Sequence, residues 1–172
     1  MAVVTGSQVH RHRGLTHTHP LTVPIPRLEK DIIIPTLIAQ NQQALEIYME
    51  VQQQNIEAMQ QLANDGVPLN VISYLHTNGV AIRSNIAGGL GNFLHWAKLR
   101  TCLTAQQEVY DLAVPIIQDL TKIAMIGQHF QQPAPCGVNQ RAGINPLCTE
   151  GDRFCGVPVW IQTIDSYPKR DI

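Results

Sequence analysis

Apolar residues recur at helical spacing along most of the chain. From Thr36 to about Asn64, the residues Ile38, Leu45, Tyr48, Met49, Ile56, Met59, Leu62 and Ala63 keep a three-or-four period, and eight glutamines fill most of the opposite face. Gly66 supplies the stop. Phe93, Leu94, Trp96, Ala97 and Leu99 give a second apolar face, and Val109, Leu112, Ala113, Ile116, Ile117 and Leu120 a third. The last of these predicts a helix from Ala105 to about Gln128, kinked at Pro115, because proline costs ~3 kcal/mol in a straight helix interior. Residues 67–75, with Pro68 in the first turn, predict a short helix. The β-branched run at 2–9, interrupted by Gly6, and the alternating run at 80–86, with Arg83 among its polar residues, predict strands. Pro20, Pro24 and Pro26 make residues 20–35 an extended connector. The sum is an α+β fold: a small antiparallel or mixed sheet from residues 2–13 and 79–87, packed with long helices. Composition shifts after residue 130, so residues 1–130 are expected to form the main domain and residues 131–172 an irregular tail rich in Pro, Gly and Cys.

Composition narrows the class. A chain of 172 residues is one domain by length and buries ~70% of the surface its unfolded form exposes. Hydrophobic residues at 44% against 15% charged argue against disorder, and a formal net charge of −1 provides no broad field for nucleic acid or an anionic membrane. No apolar run approaches the ~20 residues of a membrane-spanning helix, and Met1 to Gly14 lacks the apolar middle of a signal peptide. A soluble cytoplasmic protein is expected. Low charge beside many apolar residues also suits a subunit of a homo-oligomer.

Two basic stretches are candidates for chemistry. Thr104 followed by Gln107 reads as a capping box, which starts the third helix at Ala105 and sets its unpaired N–H groups near Arg100. A guanidinium beside a positive helix end suits an anion or an electron-rich ring; the plainer alternative is an arginine satisfying the last carbonyls of the preceding helix. In the other stretch, an extended backbone puts Arg11 and Arg13 on one face and His10 and His12 on the other, and two guanidiniums on one face suit bidentate phosphate contacts. The plainer alternative is a solvated basic strand end. His10, His12, His17 and His19 invite a metal reading, but no acid or cysteine lies near them in sequence and alternation splits the set. No metal is expected elsewhere either. Cys136, Cys148 and Cys155 are the residues that would carry one, with Cys102 or a histidine as fourth ligand, whereas isolated reduced thiols are the simpler reading.

The segment LRTCLTAQQEV at 99–109 resembles the LR-x-x-x-x-AQ-x-E-hydrophobic signature of the flavin-dependent thymidylate synthases, and residues 8–13 resemble the Q-x-x-R-H-R opening of the same family. The likeness covers roughly residues 8 to 128, in the family's order. PAPC and CTEGDRFCG further resemble the PPC and C-x-EG-x-x-x-CG tail of some members. On this basis the chain resembles a divergent, N-terminally short member.

The resemblance implies FAD as cofactor, NADPH as reductant and methylene-tetrahydrofolate as donor of a one-carbon unit to C5 of a uracil nucleotide, in a homotetramer with sites between subunits. It makes Arg100 the catalytic residue that polarises the pyrimidine. It assigns the nucleotide to Gln8, Arg11, Arg13 and Arg100, and the flavin to Arg11, His12, Arg13, His19 and His95. It also exposes departures. The positions where the family has Glu, Ser and Arg hold His19, Leu21 and Val23, a phosphate-gripping arginine is replaced by Ser73, and Asn-x-Arg becomes Gly89 and Gly91. The GGLG loop could instead bring backbone close to a phosphate. These losses leave two other functions open: a flavin-fold enzyme for another small molecule, or a non-catalytic oligomeric scaffold with a degenerate site.

Overall fold

The computed structural model describes residues 1–18 and 25–170. The expectations placed on His19 to Pro24, including the family positions His19, Leu21 and Val23, lie outside the described residues. The chain forms two compact units, the first running through Ala87 and the second beginning at Gly88. The fold class is α+β, as the sequence indicates.

The first unit opens with a correction. Residues 2–9 were expected to extend, yet α1 spans Val3–Val9. Ala2, Thr5, Gly6 and Val9 are all buried, which is the spacing of one helical face and not of one strand face. Packing of that face outweighs the β-propensity of the valines. Gly6 is part of the fit: a Cβ there would meet the Ile82 side chain at 2.5 Å. What survives of the expected pairing is an isolated antiparallel bridge between Ala2 and Ala81, reinforced where Ile82 donates its N–H to the Met1 carbonyl at 2.7 Å.

The sheet itself sits further along. Strand β1, Thr16–Thr18, is antiparallel to β2, Asn85–Ala87, with His17 opposite Ile86. Between them the expected long helix is broken in two. Helix α2 covers Thr36–Ala39, and α3 covers Gln42–Asn64. Asn41, extended at φ −121°, causes the break by accepting the Ala44 N–H on its side-chain oxygen at 3.0 Å, an N-cap hidden within a polar run. The predicted stop holds. Gly66 takes φ 82°, and the N–H groups of Gly66 and Val67 return to the carbonyls of Ala63 and Leu62. Gln52, assigned to the polar face, is instead buried beside Ile56 and Met59, with its oxygen accepting the Thr77 hydroxyl at 2.8 Å. The 67–75 helix is a short α4, Leu69–Ile72, continued by a 3-10 turn, and Pro68 precedes it as N-cap. Ahead of α2, the Asp31 carboxylate takes the Arg27 backbone N–H at 2.9 Å and the guanidinium at 2.8 Å.

The second unit is built on three helices: α5, Leu90–Arg100; α6, Gln107–Thr121; and α7, Pro135–Arg141. The capping box does not form. Gln106 remains extended, α6 begins at Gln107 without a side-chain cap, and the Thr104 hydroxyl lies 3.1 Å from the Cys102 sulfur. Pro115 is accommodated inside α6. The helix stops at Thr121, short of Gln128, where the chain folds back so tightly that a Cβ on Gly127 would sit 2.0 Å from the Thr121 carbonyl oxygen. Residues beyond 130, expected to be irregular, contain α7 and supply core. Phe130, Ala134 and Ile164 have no solvent exposure, and they pack in the same unit as the fully buried Ala113 and Ile117 of α6.

Two outcomes follow for stability. Gly127→Ala forces a Cβ into backbone that cannot move aside as a side-chain tip can, and is expected to cost about 2 kcal/mol, read as a lowered urea midpoint at unchanged slope; an unaltered midpoint contradicts the close approach. The Arg27 contacts hold the Asp31 carboxyl below its ordinary range. A depressed folded-state pKa stabilises above the unfolded value and stops doing so as pH falls through the folded one. Asp31→Asn should therefore be less stable than wild type at neutral pH, with the gap closing in strong acid; a gap that persists there refutes the linkage.

Candidate functional site

The basic segment after α1 is a series of turns and not a strand end. The N–H groups of Arg11 and His12 return to the carbonyls of Gln8 and Val9, and that of Leu15 to His12. The face assignment drawn from strand alternation therefore fails for the histidines: His12 is 8% exposed, while His10 lies at the surface and stacks on His17 with ring centroids 4.9 Å apart. A ring nitrogen of His17 meets the His12 carbonyl at 3.1 Å, pinning the segment to β1. Arg11 and Arg13 do both reach solvent, and Gln8 is half-buried at the end of α1.

In the second unit, Trp96 and Ala97 bury one side of α5 and leave His95 exposed on another. His95 lines a groove of about 220 Å³ together with Lys98, His129, Arg141 and apolar residues. Lys98 lies one turn beyond His95 and so shares its face. His129 comes from the 3-10 turn after α6 and Arg141 from the end of α7. Arg141 is held by donating to the Gln132 carbonyl at 2.7 Å. No carboxylate lines this groove, so its charge is wholly of one sign. Sequence reasoning found His95 and missed the other three. Lys98 was signalled by helical spacing, whereas nothing local pointed to His129 or Arg141. Arg100, the last residue of α5, is half-buried and does not line the groove.

The substituted positions are accounted for as follows. Ser73 is half-buried, its hydroxyl donating to the Asn70 carbonyl at 2.8 Å. Gly89 caps α5 at φ −69°, Gly91 lies in its first turn, and a Cβ on either would meet nothing within 4 Å. Neither the conformation nor the packing of this chain requires glycine there. Cys102, Cys136, Cys148 and Cys155 are all free thiols, and as the side chains stand no three His, Cys, Asp or Glu residues among the described residues are arranged to hold a metal ion.

These features describe a helix-dominated α+β protein with a surface arginine pair in one unit and a cation-lined groove in the other. A model of the thymidylate synthase complementing protein family matches residues 3–124, and the chain belongs to that family. The flavin-dependent thymidylate synthase of Sulfurisphaera tokodaii is 28% identical over 123 residues, which make up 70% of this chain and 47% of that protein. The chain thus spans about half the length of the curated relative it matches. Two crystal structures of Helicobacter pylori ThyX with FAD and dUMP superpose with TM-scores of 0.52 and 0.51 at 14% identity. The alignments cover 78% and 77% of this chain and 69% and 68% of those. At that identity the likeness is one of fold.

Because Gly91 is helical and uncrowded, Gly91→Ala should raise stability by roughly 0.5 kcal/mol through loss of unfolded-state freedom. A thermal melt that falls instead would reveal a contact absent from the chain's own packing.

Proposed function

We propose that this chain is a flavin-dependent thymidylate synthase-type enzyme, using FAD to place a methyl group on C5 of a uracil nucleotide such as dUMP. One observation carries the reading: the family match over residues 3–124 takes in both arginine motifs, at 8–13 and 99–109. The groove adds physical support. FAD carries an anionic pyrophosphate, and His95, Lys98, His129 and Arg141 present donors with no acid among them. Its size is informative as well. Clefts for whole ligands run from about 300 to 1,000 Å³, so a groove of about 220 Å³ fits part of FAD, and the remaining surface has to come from elsewhere in the assembly. A homotetramer with composite sites would provide it, and the exposure of Ile47 and Val51, one turn apart on α3, agrees with a surface that is covered in an oligomer.

When bound and reduced, FAD supplies the electrons that turn a one-carbon unit from methylene-tetrahydrofolate into the methyl group, with NADPH renewing the reduced flavin. The chain's residues bind and polarise. A guanidinium does not give up its proton in a protein, so Arg100 acts by donating hydrogen bonds to the pyrimidine as charge builds on it, not as an acid or base. Arg11 and Arg13 grip phosphate from the surface in a planar, bidentate manner. Gln8 both donates and accepts, as recognition of a nucleotide requires. His12, and His19 beyond the described residues, complete the flavin side. Loss of the phosphate-gripping arginine at Ser73 leaves Arg11 and Arg13 with a larger share of that work. The reaction belongs in the cytoplasm, where its co-substrates are made.

Added FAD should bind the purified chain with quenching of flavin fluorescence. A Lys98→Ala/Arg141→Ala double variant should weaken it about tenfold or more, the loss of one or two charge-assisted hydrogen bonds. Arg100→Gln should retain FAD but slow reoxidation of the reduced flavin by dUMP together with methylene-tetrahydrofolate by about 100-fold. A colourless protein that takes up no FAD sinks the proposal; FAD binding with no response to dUMP redirects the chemistry to another substrate.

A further inference from the structure

Every cysteine in the chain borders one small cavity in the second unit. Cys102 comes from the loop after α5, Cys136 from the first turn of α7, and Cys148 and Cys155 from the turns that follow. The cavity has a volume of about 20 Å³. One water-sized sphere needs about 10–15 Å³, so the space admits a single small occupant and not a cluster or an organic molecule. Most of the remaining wall is apolar, including Leu103, Phe154 and Val159, and no Lys, Arg or His lines it.

That setting argues against a reactive thiol. With no Lys, Arg or His in the wall, nothing on the chain offsets the charge of a thiolate there. What stabilises several thiolates around one point is a soft divalent cation at that point. We propose that the cavity is a tetrathiolate site for one zinc-type ion, held by Cys102, Cys136, Cys148 and Cys155, which staples the α5–α6 loop to α7 and the turns after it.

Closing the site requires the four sulfurs to converge, since as they stand no three of them are arranged to hold an ion. The Cys102 sulfur now contacts the Thr104 hydroxyl at 3.1 Å, and the Cys155 sulfur contacts the Val157 carbonyl at 3.7 Å. Both are weak sulfur hydrogen bonds that Zn–S bonds replace. On loading, each thiol releases its proton to solvent as its sulfur bonds the ion, so the four S–H groups become thiolate ligands and binding strengthens as pH rises. Gly156, at φ 78°, lets the chain turn back directly after Cys155.

The test uses the untagged full chain, produced with zinc in the medium and purified without chelator. Elemental analysis should give one zinc per chain, and a mercurial that blocks thiols should release it. Cobalt(II) in its place should show an intense thiolate-to-metal band with the visible bands of a tetrahedral centre. Serine at each of the four cysteines in turn should weaken zinc binding more than about tenfold. If Cys136→Ser does not fold, the half-buried Cys102 and Cys155 variants and the wild-type cobalt spectrum still decide. A metal-free chain with four reactive thiols overturns the proposal, as does a chain with disulfides among these cysteines. Zinc retained undiminished in all four variants overturns it too, since the ion would then be held elsewhere.

Discussion

The second unit depends on the seating of α6 against the chain that follows it. Val109, Tyr110, Ala113 and Ile117 form a stripe no more than 2% exposed, and burying each large member is worth roughly 1.5–3 kcal/mol. Polar ties fix where the later chain lies on that helix. The Tyr110 hydroxyl donates to the Pro168 carbonyl at 2.9 Å, and the Gln107 and Gln118 amides donate to Arg170 and Ile164. Burial pushes the Tyr110 phenol up to about 12, so it remains a donor at every ordinary pH. Carbonyls in an irregular segment would be costly to bury without such partners. The α6 side chains thus let residues after 130 pack as core, and in doing so they position α7, the 3-10 turn at His129 and the groove beside His95.

What the sequence disclosed and what it concealed divide along one physical line. Apolar periodicity located α5, α6 and the end of α3 at Gly66, and it named the buried Trp96, Ala97, Val109, Ala113 and Ile117, but it also placed Leu99, Leu112 and Ile116 on those faces, where they are exposed. It failed where a few residues were decided by tertiary contact. Residues 2–9 carry strand propensities, but burial of Ala2, Thr5, Gly6 and Val9 together selects a helix. Asn41 looks like one more polar residue until its side chain is seen to cap α3. Gln52 looked like surface because glutamine usually is, whereas a partner 25 residues away makes it affordable in the core. Thr104 and Gln107 satisfied a local pattern, yet the threonine is engaged by Cys102.

The candidate site shows the same division at the level of chemistry. Motifs picked out Gln8, Arg11, His12, Arg13, His95 and Arg100 because residue identity at fixed spacing survives in sequence. The placement of those side chains did not follow, since it had been inferred from a strand that is a helix followed by turns. Burial of His12 and the stacking of His10 on His17 are products of that turn geometry. Lys98, His129 and Arg141 had no motif at all; they join His95 only through the packing of α5, the turn after α6 and α7.

That packing bears on how the groove of this family member is assembled. The family match ends at residue 124, while His129 and Arg141 lie beyond it. Two of the four nitrogen-bearing side chains of the groove therefore come from the part of the chain outside the family pattern, the same part that supplies three of the four cysteines around the small cavity. The cavity and the groove share the start of this segment: Ala134 to Cys136 form part of one wall, and Pro133 and Val138 part of the other. A constraint that fixes Cys136 at the head of α7 also limits where Arg141 can stand at its end, since the intervening helix is rigid over so short a span. The residues beyond the family pattern are in this sense not an appendage to the site. They set the angle at which one of its charges is presented, and a groove open on one side has few other means of holding that charge in place.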